Sequence, residues 1–504
     1  MKLFRSDQIK QIDEYTISEE PVASIDLMER AAGQLLKWYI SRFERSRRIF
    51  IFVGPGNNGG DGLALARLLE SNRYEPLVYY VAFTEKTSGD WKINHLRLKN
   101  ETKVSLNYLT GAEQFPHISS DDIVIDAIFG SGLTRPVEGL AGDVIKHLNQ
   151  LDATVISIDI PSGMFGEDNS GNDYNTIVSA DFTLSFQFPK LAFMFSENAC
   201  YLGEWIILPI GLSANAIRNI VSPYLFIGKT DIVPLLKKRN KFDHKGTFGH
   251  GLLVAGSYGR MGAAVLGAGA ALRSGIGLIT CHTPSGGVLI LQCSLPEAMI
   301  VPDRNEQHLS EVGNIDSFSA VGIGPGIGTN PDSQKALYNF LTECKKPLVI
   351  DADALNILSL DKSWLSLIPA GAVLTPHPKE FERLAGKADN SYIRLQKQIE
   401  FSGKYGCTIV LKGAHTSVST PDGRVFFNST GNPGMAKAGS GDALTGILLS
   451  LLAQGYTPEN AAIAGVYLHG LAGDFAAEGL CYESIIAGDI INSLAKAFNK
   501  LREL

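Results

Sequence analysis

Two glycine-rich loops and several carboxylates at strand ends are the parts of this sequence equipped for chemistry. In the first loop, the apolar run Ile49–Val53 leads into Gly54-Pro55-Gly56-Asn57-Asn58-Gly59-Gly60-Asp61-Gly62 and then into a helix. Free amides of such a loop and of the first helical turn converge where the helix dipole is positive, which suits an anion. Gly54, Gly56 and Gly59 also fit the G-x-G-x-x-G spacing of dinucleotide loops. A plain phosphate turn has no use for Asn57, Asn58 and Asp61, which read as ligands for a ribose, a carboxamide or a cation. Two more polar strand ends follow: Asp126 with Phe129-Gly130-Ser131-Gly132-Leu133-Thr134-Arg135-Pro136, and Asp159-Ile160-Pro161-Ser162-Gly163. Open α/β sheets bind ligands outside the carboxyl ends of their strands, so the three loops are expected to converge. Asn58, Asp126 and Ser162 then offer hard oxygens to a hard cation and leave Asp159 for acid–base work.

The second loop, Asn432-Pro433-Gly434-Met435-Ala436-Lys437-Ala438-Gly439-Ser440-Gly441-Asp442, runs into the apolar helix Ala443–Leu452. Its glycines expose amides to an anion, and Asp442 on its edge is placed to deprotonate an attacking hydroxyl. Phosphoryl transfer needs that combination of positioning, charge stabilisation and one base. Upstream, Lys412-Gly413-Ala414-His415-Thr416 ends a strand with cationic and hydroxyl groups suited to phosphates. His377 and Glu380 flank a strand-to-helix turn within reach of a ligand or a metal-bound water, and Gly322 to Gly328, with Gly326 near its middle, forms a close-approach loop. Taken singly, His377 reads as a satisfied structural histidine and Lys412 as a snorkelling surface lysine, whereas a mere helix cap at Asp442 would not need the Gly-Ser-Gly before it. Their places after consecutive strands point to one cleft.

Such loops need parallel strands to hold them. Apolar runs of strand length stand at Ile49–Val53, Leu77–Phe83, Ile123–Ile128, Thr154–Ile160, Phe182–Phe186 and Trp205–Leu208, with helical segments at Asp26–Phe43, Leu63–Glu70 and Leu140–Leu148. The pattern weakens between Gly211 and His250, then restarts with strands at Leu252–Ala255, Gly277–His282, Leu348–Asp351, Ala372–Thr375 and Thr408–Leu411 and a helix at Ala263–Arg273. Alternation of this kind predicts two α/β domains, each a three-layer αβα sandwich. Their expected spans are 1–215 and 241–504, with 216–240 as linker.

Composition removes other classes. A chain of 504 residues with 45% hydrophobic and 19% charged side chains is neither disordered nor fibrous, and 52 glycines point to tight turns and backbone that approaches ligands. A net charge of −7 gives no field for nucleic acid or anionic lipid, and the one basic cluster, Lys237 to Lys241, reads as a solvated connector. The stretch Ser274–Pro296 lacks charge, but its glycines and prolines favour a strand, a loop and a second strand over a membrane span. Scattered Cys200, Cys281, Cys293, Cys344, Cys407 and Cys481, and an N-terminus without an apolar leader, suggest reduced thiols in the cytoplasm.

The loops GPGNNGGDG, DAIFGSGLTRPVEG and ISIDIPSGM, with the helix Ser24 to Ala32, resemble the NAD(P)H-hydrate epimerase domain over about residues 1–215. The resemblance implies a Rossmann-like fold in which Asn57, Asn58, Gly59, Gly60, Asp61, Gly130, Ser131, Gly132, Leu133, Thr134, Arg135 and Pro136 hold the hydrated nucleotide. It further implies potassium at Asn58, Asp126 and Ser162, and Asp159 against the nicotinamide. Lys190 matches a family position and reads equally as a surface lysine.

HKGTFGHGLLVAGS, LVIDADALN, LTPHPKEFERL and GNPGMAKAGSGD resemble the ribokinase-like ADP- or ATP-dependent NAD(P)H-hydrate dehydratases over about residues 225–500. This implies that Gly326, His377 and Asp442 contact the hydrated substrate. Lys412, Gly413, Ala414, His415, Thr416, Asn432, Gly434, Gly439, Ser440 and Gly441 would hold ADP, the choice of ADP resting on likeness to bacterial two-domain fusions. Magnesium is implied as well. Sugar kinases carry Asn-x-x-Glu for it where this chain has His377-Pro378-Lys379-Glu380, so no side chain is assigned to magnesium. The partners implied are small molecules, NADHX, NADPHX and ADP, with neither nucleic acid nor membrane, in a homo-oligomer. Rival readings remain: a vitamin or sugar kinase in the C-terminal half, and a non-catalytic nucleotide sensor or partner-docking module in the N-terminal half; a Rossmann dehydrogenase is disfavoured because no convincing ribose-binding acid follows Leu77–Phe83.

Overall fold

The computed structural model describes residues 1–20 and 22–503, which divide into two compact units: residues 2–222 with 390–392, and residues 223–389 and 393–504 with Met1. In the smaller unit one sheet runs in the order Leu106–Leu109, Pro76–Val81, Ile49–Val53, Ile123–Ala127, Thr154–Ile158, Phe182–Phe186, Glu204–Leu208. All neighbours are parallel. The first of these strands along the chain, Ile49–Val53, is third in that order; the chain walks outward from it through Pro76–Val81 and Leu106–Leu109 and returns to Ile123–Ala127 on its other side. The crossover direction therefore reverses between these two strands, and a crevice opens at their carboxyl ends.

The run Ile49–Val53 is apolar throughout because both of its faces are covered. Ile49, Ile51 and Val53 join Leu35 and Leu63 in one core, while Phe50 and Phe52 join Val144 and Ile145 in another. The expected strands stand within one or two residues of their places. The sequence pattern does not show the short edge strand Leu106–Leu109 or the helix Ser6–Glu19, whose apolar residues are few.

One helix start bears on the site. The helix expected at Leu63–Glu70 begins at Asn57, so Asn57 to Asp61 form its first turns. Gly59 permits the tight entry, since a Cβ there would lie 1.9 Å from the Gly54 carbonyl oxygen.

The sheet of the larger unit runs Tyr224–Ile227, Val425–Asn428, Ser417–Ser419, Thr408–Leu411, Val373–Leu374, Leu348–Ile350, Ala320–Ile323, His250–Val254, Leu278–Pro284, Met299–Asp303. It is parallel except for Ser417–Ser419, which runs against both its neighbours. Leu252 and Val254 enter one core with Leu337 and Phe340, and Leu253 enters the opposite core with Ala268 and Leu448, so this unit too has three layers.

Two expectations need correction. Residues 216–240 are no bare linker: Tyr224–Ile227 pairs in register with Val425–Asn428, and Lys237 Nζ donates to the carbonyls of Gln454 and Gly455 at 2.7 and 2.9 Å. Within Ser274–Pro296, the second apolar run is the helix Val288–Ser294, not a strand. Its Leu289 and Ile290 are exposed, so the run is not a doubly covered strand. No helix among the described residues is long and apolar enough to cross a membrane.

Helix Ser440–Ala453, buried along almost all its length, packs on helix Met261–Arg273. A Cβ at Gly446 would lie 2.0 Å from the Gly267 carbonyl oxygen. Alanine improves intrinsic helix propensity by about 1 kcal/mol, yet overpacking here is expected to dominate, so Gly446→Ala should lower stability by about 2 kcal/mol net. A denaturant midpoint that does not fall would show that the two helices separate freely.

Candidate active sites

At the switch point of the smaller unit lies a cleft of about 560 Å³. Asn57, Asn58, Asp61, Gly130, Ser131, Gly132, Leu133 and Asp159 line it from the strand ends, and Ser6, Ile9, Lys10 and Asp13 from helix Ser6–Glu19. Gly59 and Gly60 do not line it: Gly59 faces the Gly54 carbonyl and Gly60 the Met28 side chain. Thr134, Arg135 and Pro136 also fall outside the lining residues.

Asp126 is fully buried under the cleft floor. Its carboxylate accepts from Ser157 Oγ at 2.8 Å, Ser162 N at 2.8 Å, Ser162 Oγ at 2.5 Å and Ile128 N at 3.2 Å. Asn58 Nδ2 donates to the Phe129 carbonyl at 2.8 Å, and Ser162 Oγ lies 3.2 Å from the same carbonyl. The structure thus brings Asn58 and Ser162 to one backbone oxygen, with Asp126 joined to them through Ser162. Burial pushes the Asp126 carboxyl up, against the hydrogen bonds from Ser162 and Ser157. Among the described residues no cationic side chain pairs with it, and a buried carboxylate without a counter-charge is costly. One negative charge among neutral oxygens therefore fits a monovalent hard cation. Among the described residues no group of three His, Cys, Asp or Glu forms a metal site.

Asp159 follows strand Thr154–Ile158 at φ +65°, a left-handed conformation that aspartate tolerates better than most residues. Lys190 is buried, with 2% of its side chain exposed, and its ammonium donates to Asp159 Oδ1 at 2.7 Å and Ser185 Oγ at 3.1 Å. The surface reading of Lys190 is therefore wrong. Asp61 is buried, and burial followed by the charges of Asp159, Asp13 and Asp90 pushes its carboxyl well above the usual range.

In the larger unit a cleft of about 750 Å³ is lined by His377, Lys412, Gly413, Ala414, Thr416, Asn432, Ser440 and Gly441 among others. Helix Ser440–Ala453 starts at Gly439, at φ +90°, and its first-turn amides have no partner inside the helix. Lys412 Nζ lies between Asp351 Oδ1 at 2.9 Å and Glu380 Oε2 at 4.0 Å. Burial works to lower the Lys412 pKa, but Asp351, Glu380 and Asp442 outweigh it, so the ammonium is held charged.

Asp442 sits in the same first turn but is not among the residues that line the cleft. Burial, then Asp351, pushes its carboxyl up to about 6, with Lys412 opposing and Asp353 adding. Asp353 accepts from the Gly328 amide at 2.9 Å and from Arg260 Nη1 at 3.3 Å, which joins the Gly326 to Gly328 turn to the surroundings of Asp442.

Other predicted residues fall differently. His415 does not line the cleft, and its Nδ1 faces the Asn428 carbonyl at 3.2 Å. Gly434 donates its amide to Asn432 Oδ1 at 3.0 Å, and Gly439 and Gly326 shape backbone outside the lining residues. His377 both lines the cleft and caps helix Pro378–Ala385, its Nδ1 accepting from the amides of Lys379 and Glu380 at 3.1 and 3.3 Å. Burial, followed by Lys412 and Arg383, lowers its pKa, so it faces the cleft as a neutral imidazole.

Residue-type reasoning passed over Asp351, whose Oδ2 also accepts from Thr445 Oγ1 at 2.7 Å. The available signal was an acid at the end of an apolar strand. It also passed over His469, a cleft residue on helix Pro458–Ala477 that burial holds neutral, its pKa lowered to about 4.

Comparison with known proteins converges with this geometry. Residues 251–496 match the NAD(P)H-hydrate dehydratase family and residues 24–192 the YjeF-related protein N-terminus family. The chain is 35% identical to the bifunctional NAD(P)H-hydrate repair enzyme Nnr of Moorella thermoacetica, over 100% of this chain and 98% of that protein. It is likewise 35% identical to the Nnr of Thermofilum pendens, over 100% and 97%. A solved ADP/ATP-dependent NAD(P)H-hydrate dehydratase from Bacillus subtilis, co-crystallised with ATP and Mg2+, is 30% identical, with a TM-score of 0.48 over 55% of this chain and 98% of that one. With two domain families in tandem and full-length relatives at this identity, the chain belongs to the bifunctional NAD(P)H-hydrate repair enzymes.

Proposed function

We propose that the cleft of the smaller unit interconverts the R and S forms of hydrated NADH and NADPH, and that the larger unit dehydrates the S form with ADP, releasing AMP and phosphate. The observation that carries the second half is the open first turn of helix Ser440–Ala453 with Lys412 and Asp442 beside it. Hydration leaves a hydroxyl at C6 of the ring, and hydroxide leaves poorly. Asp442 takes the hydroxyl proton as the oxygen bonds to the terminal phosphorus of ADP and the bridging P–O bond breaks, its pair leaving with AMP. The amides of Ser440 and Gly441 and the Lys412 ammonium stabilise the charge on the transferring group. The ring nitrogen's lone pair then expels phosphate from C6, and loss of a C5 proton restores the reduced nicotinamide.

In the smaller unit, Asn58, Asp126 and Ser162 would hold potassium, which fixes the loops after Ile49–Val53 and Ile123–Ala127 against each other. Asp159 handles a proton at C6, oriented by Lys190. Magnesium enters the larger unit with the nucleotide, and no side chain is assigned to it. We place the protein in the cytoplasm as a homo-oligomer, a state that sedimentation velocity would read.

Incubating the full chain with mixed hydrates, ADP and magnesium, with and without potassium, tests the reading through absorbance of reduced nicotinamide. Recovery of both epimers faster than buffer alone is expected, with R recovery dependent on potassium. Recovery of the S form only would reduce the smaller unit to a binding module. A stable phosphorylated product would return the kinase reading.

A further inference from the structure

One wall of the smaller cleft has no role so far. Helix Ser6–Glu19 turns Ser6, Ile9, Lys10 and Asp13 into it, a spacing that marks one helical face. Ser6 is committed, its amide and hydroxyl both donating to Glu167 Oε1 at 2.6 and 3.0 Å. Lys10 faces Glu14 along the helix at 3.9 Å. Asp13 is partly buried, yet its carboxylate makes no hydrogen bond or ion pair with any described residue. Asp159 and Lys190 face it from the sheet ends, Asp61 from helix Asn57–Ser71, and Glu14 from its own helix. Burial, then Asp159, pushes the Asp13 carboxyl up to about 7, with Lys190 opposing and Glu14 adding. A carboxyl in that range can both give and take a proton near neutrality.

Inversion at C6 asks for two such groups, because the hydroxyl leaves one face of the ring and returns to the other. Building on the epimerase reading of this cleft, we propose that Asp13 is its second catalytic residue, the proton donor to the departing hydroxyl when Asp159 is the acceptor, and the acceptor in the reverse direction. Asp13 protonates the C6 hydroxyl, the C6–O bond breaks with its pair leaving on water, and the lone pair of N1 forms the C6=N1 bond. A second water then bonds to C6 from the other face and gives a proton to Asp159, while the C6=N1 pair returns to nitrogen. One water is lost and one gained, and the proton moved from Asp13 to Asp159 is levelled through solvent.

Asp13→Asn in the full chain tests this. Epimerisation, read as R-hydrate recovery coupled to dehydration of the S form, is expected to fall about 100-fold in kcat with KM little changed. The inflection near pH 7 in kcat/KM should vanish, and Asp13→Glu should restore part of the rate. Dehydration of pure S hydrate reports that the chain is folded and should stay within about twofold of the parent. R recovery at the parent rate in Asp13→Asn, alongside its loss in Asp159→Asn, would overturn the role of Asp13 and leave the epimerase reading intact. A raised KM with kcat and the pH profile preserved would mark Asp13 as structural and overturn the role as well. A parent chain that recovers R hydrate no faster than buffer would overturn the epimerase reading itself.

Discussion

Asp442→Asn is expected to lower kcat for S-hydrate dehydration by about 10³-fold while nucleotide affinity changes less than about threefold, the pattern of a group that acts on the proton in flight. Asparagine keeps the size and the place in the first turn of helix Ser440–Ala453, so the amides that hold phosphate stay where they are. Equilibrium binding of ADP separates the two contributions. Because Asp442 works as its carboxylate and its pKa is pushed up to about 6, the parent rate should be level above pH 7 and fall tenfold per unit below pH 6. An ordinary aspartate would keep the profile flat to near pH 4. Lys412→Met adds a sign test: Lys412 opposes the upward shift of Asp442, so its removal should move the acid limb to higher pH. A flat profile between pH 5 and 8 with near-parent turnover in Asp442→Asn would place the base elsewhere.

What could be read from the chain beforehand followed from local pattern. Runs such as Ile49–Val53 are apolar on both faces because helices cover both, and that regularity located most strands and the two-unit architecture. The loops GPGNNGGDG and GNPGMAKAGSGD announced anion-binding turns, since a helix start so rich in glycine has few other uses. Partnerships set by sheet order stayed hidden. Asp351 and Lys412 are 61 residues apart and meet at 2.9 Å only because the strands Leu348–Ile350, Val373–Leu374 and Thr408–Leu411 lie side by side. Burial of Lys190 was equally invisible, because lysine is a surface residue by default and only the turn after Phe182–Phe186 carries it inward. Helix Ser6–Glu19 escaped because its apolar residues are sparse, and with it went Asp13. The failure at Val288–Ser294 has the opposite cause: an apolar run with β-branched residues reads as strand, but here it forms a short helix whose Leu289 and Ile290 are exposed.

The ion pair beneath the smaller cleft yields the other large effect, and it is asymmetric. Asp159→Asn and Lys190→Met should both abolish epimerisation, yet they should differ in stability. Lys190 is 2% exposed and Asp159 13%, so the lysine bears the greater desolvation. Asparagine at 159 tolerates φ +65° but removes the counter-charge and leaves the ammonium among neutral acceptors, Ser185 Oγ at 3.1 Å and the Phe188 carbonyl at 3.4 Å among them. A buried charge stranded in this way costs about 3–5 kcal/mol, a large share of the about 5–15 kcal/mol that holds a domain folded. Lys190→Met removes the deeper charge and keeps its packing volume, while Asp159 still faces the cleft and accepts from the Phe186 amide at 3.2 Å, so water can solvate what the lysine no longer pairs. Denaturant melts should therefore rank the parent first, Lys190→Met second and Asp159→Asn last, with the double variant near Lys190→Met. The reverse order of the single variants would mean that Asp159, not Lys190, is the charge that the fold strains to bury, and the proton-handling role would then pass to the lysine.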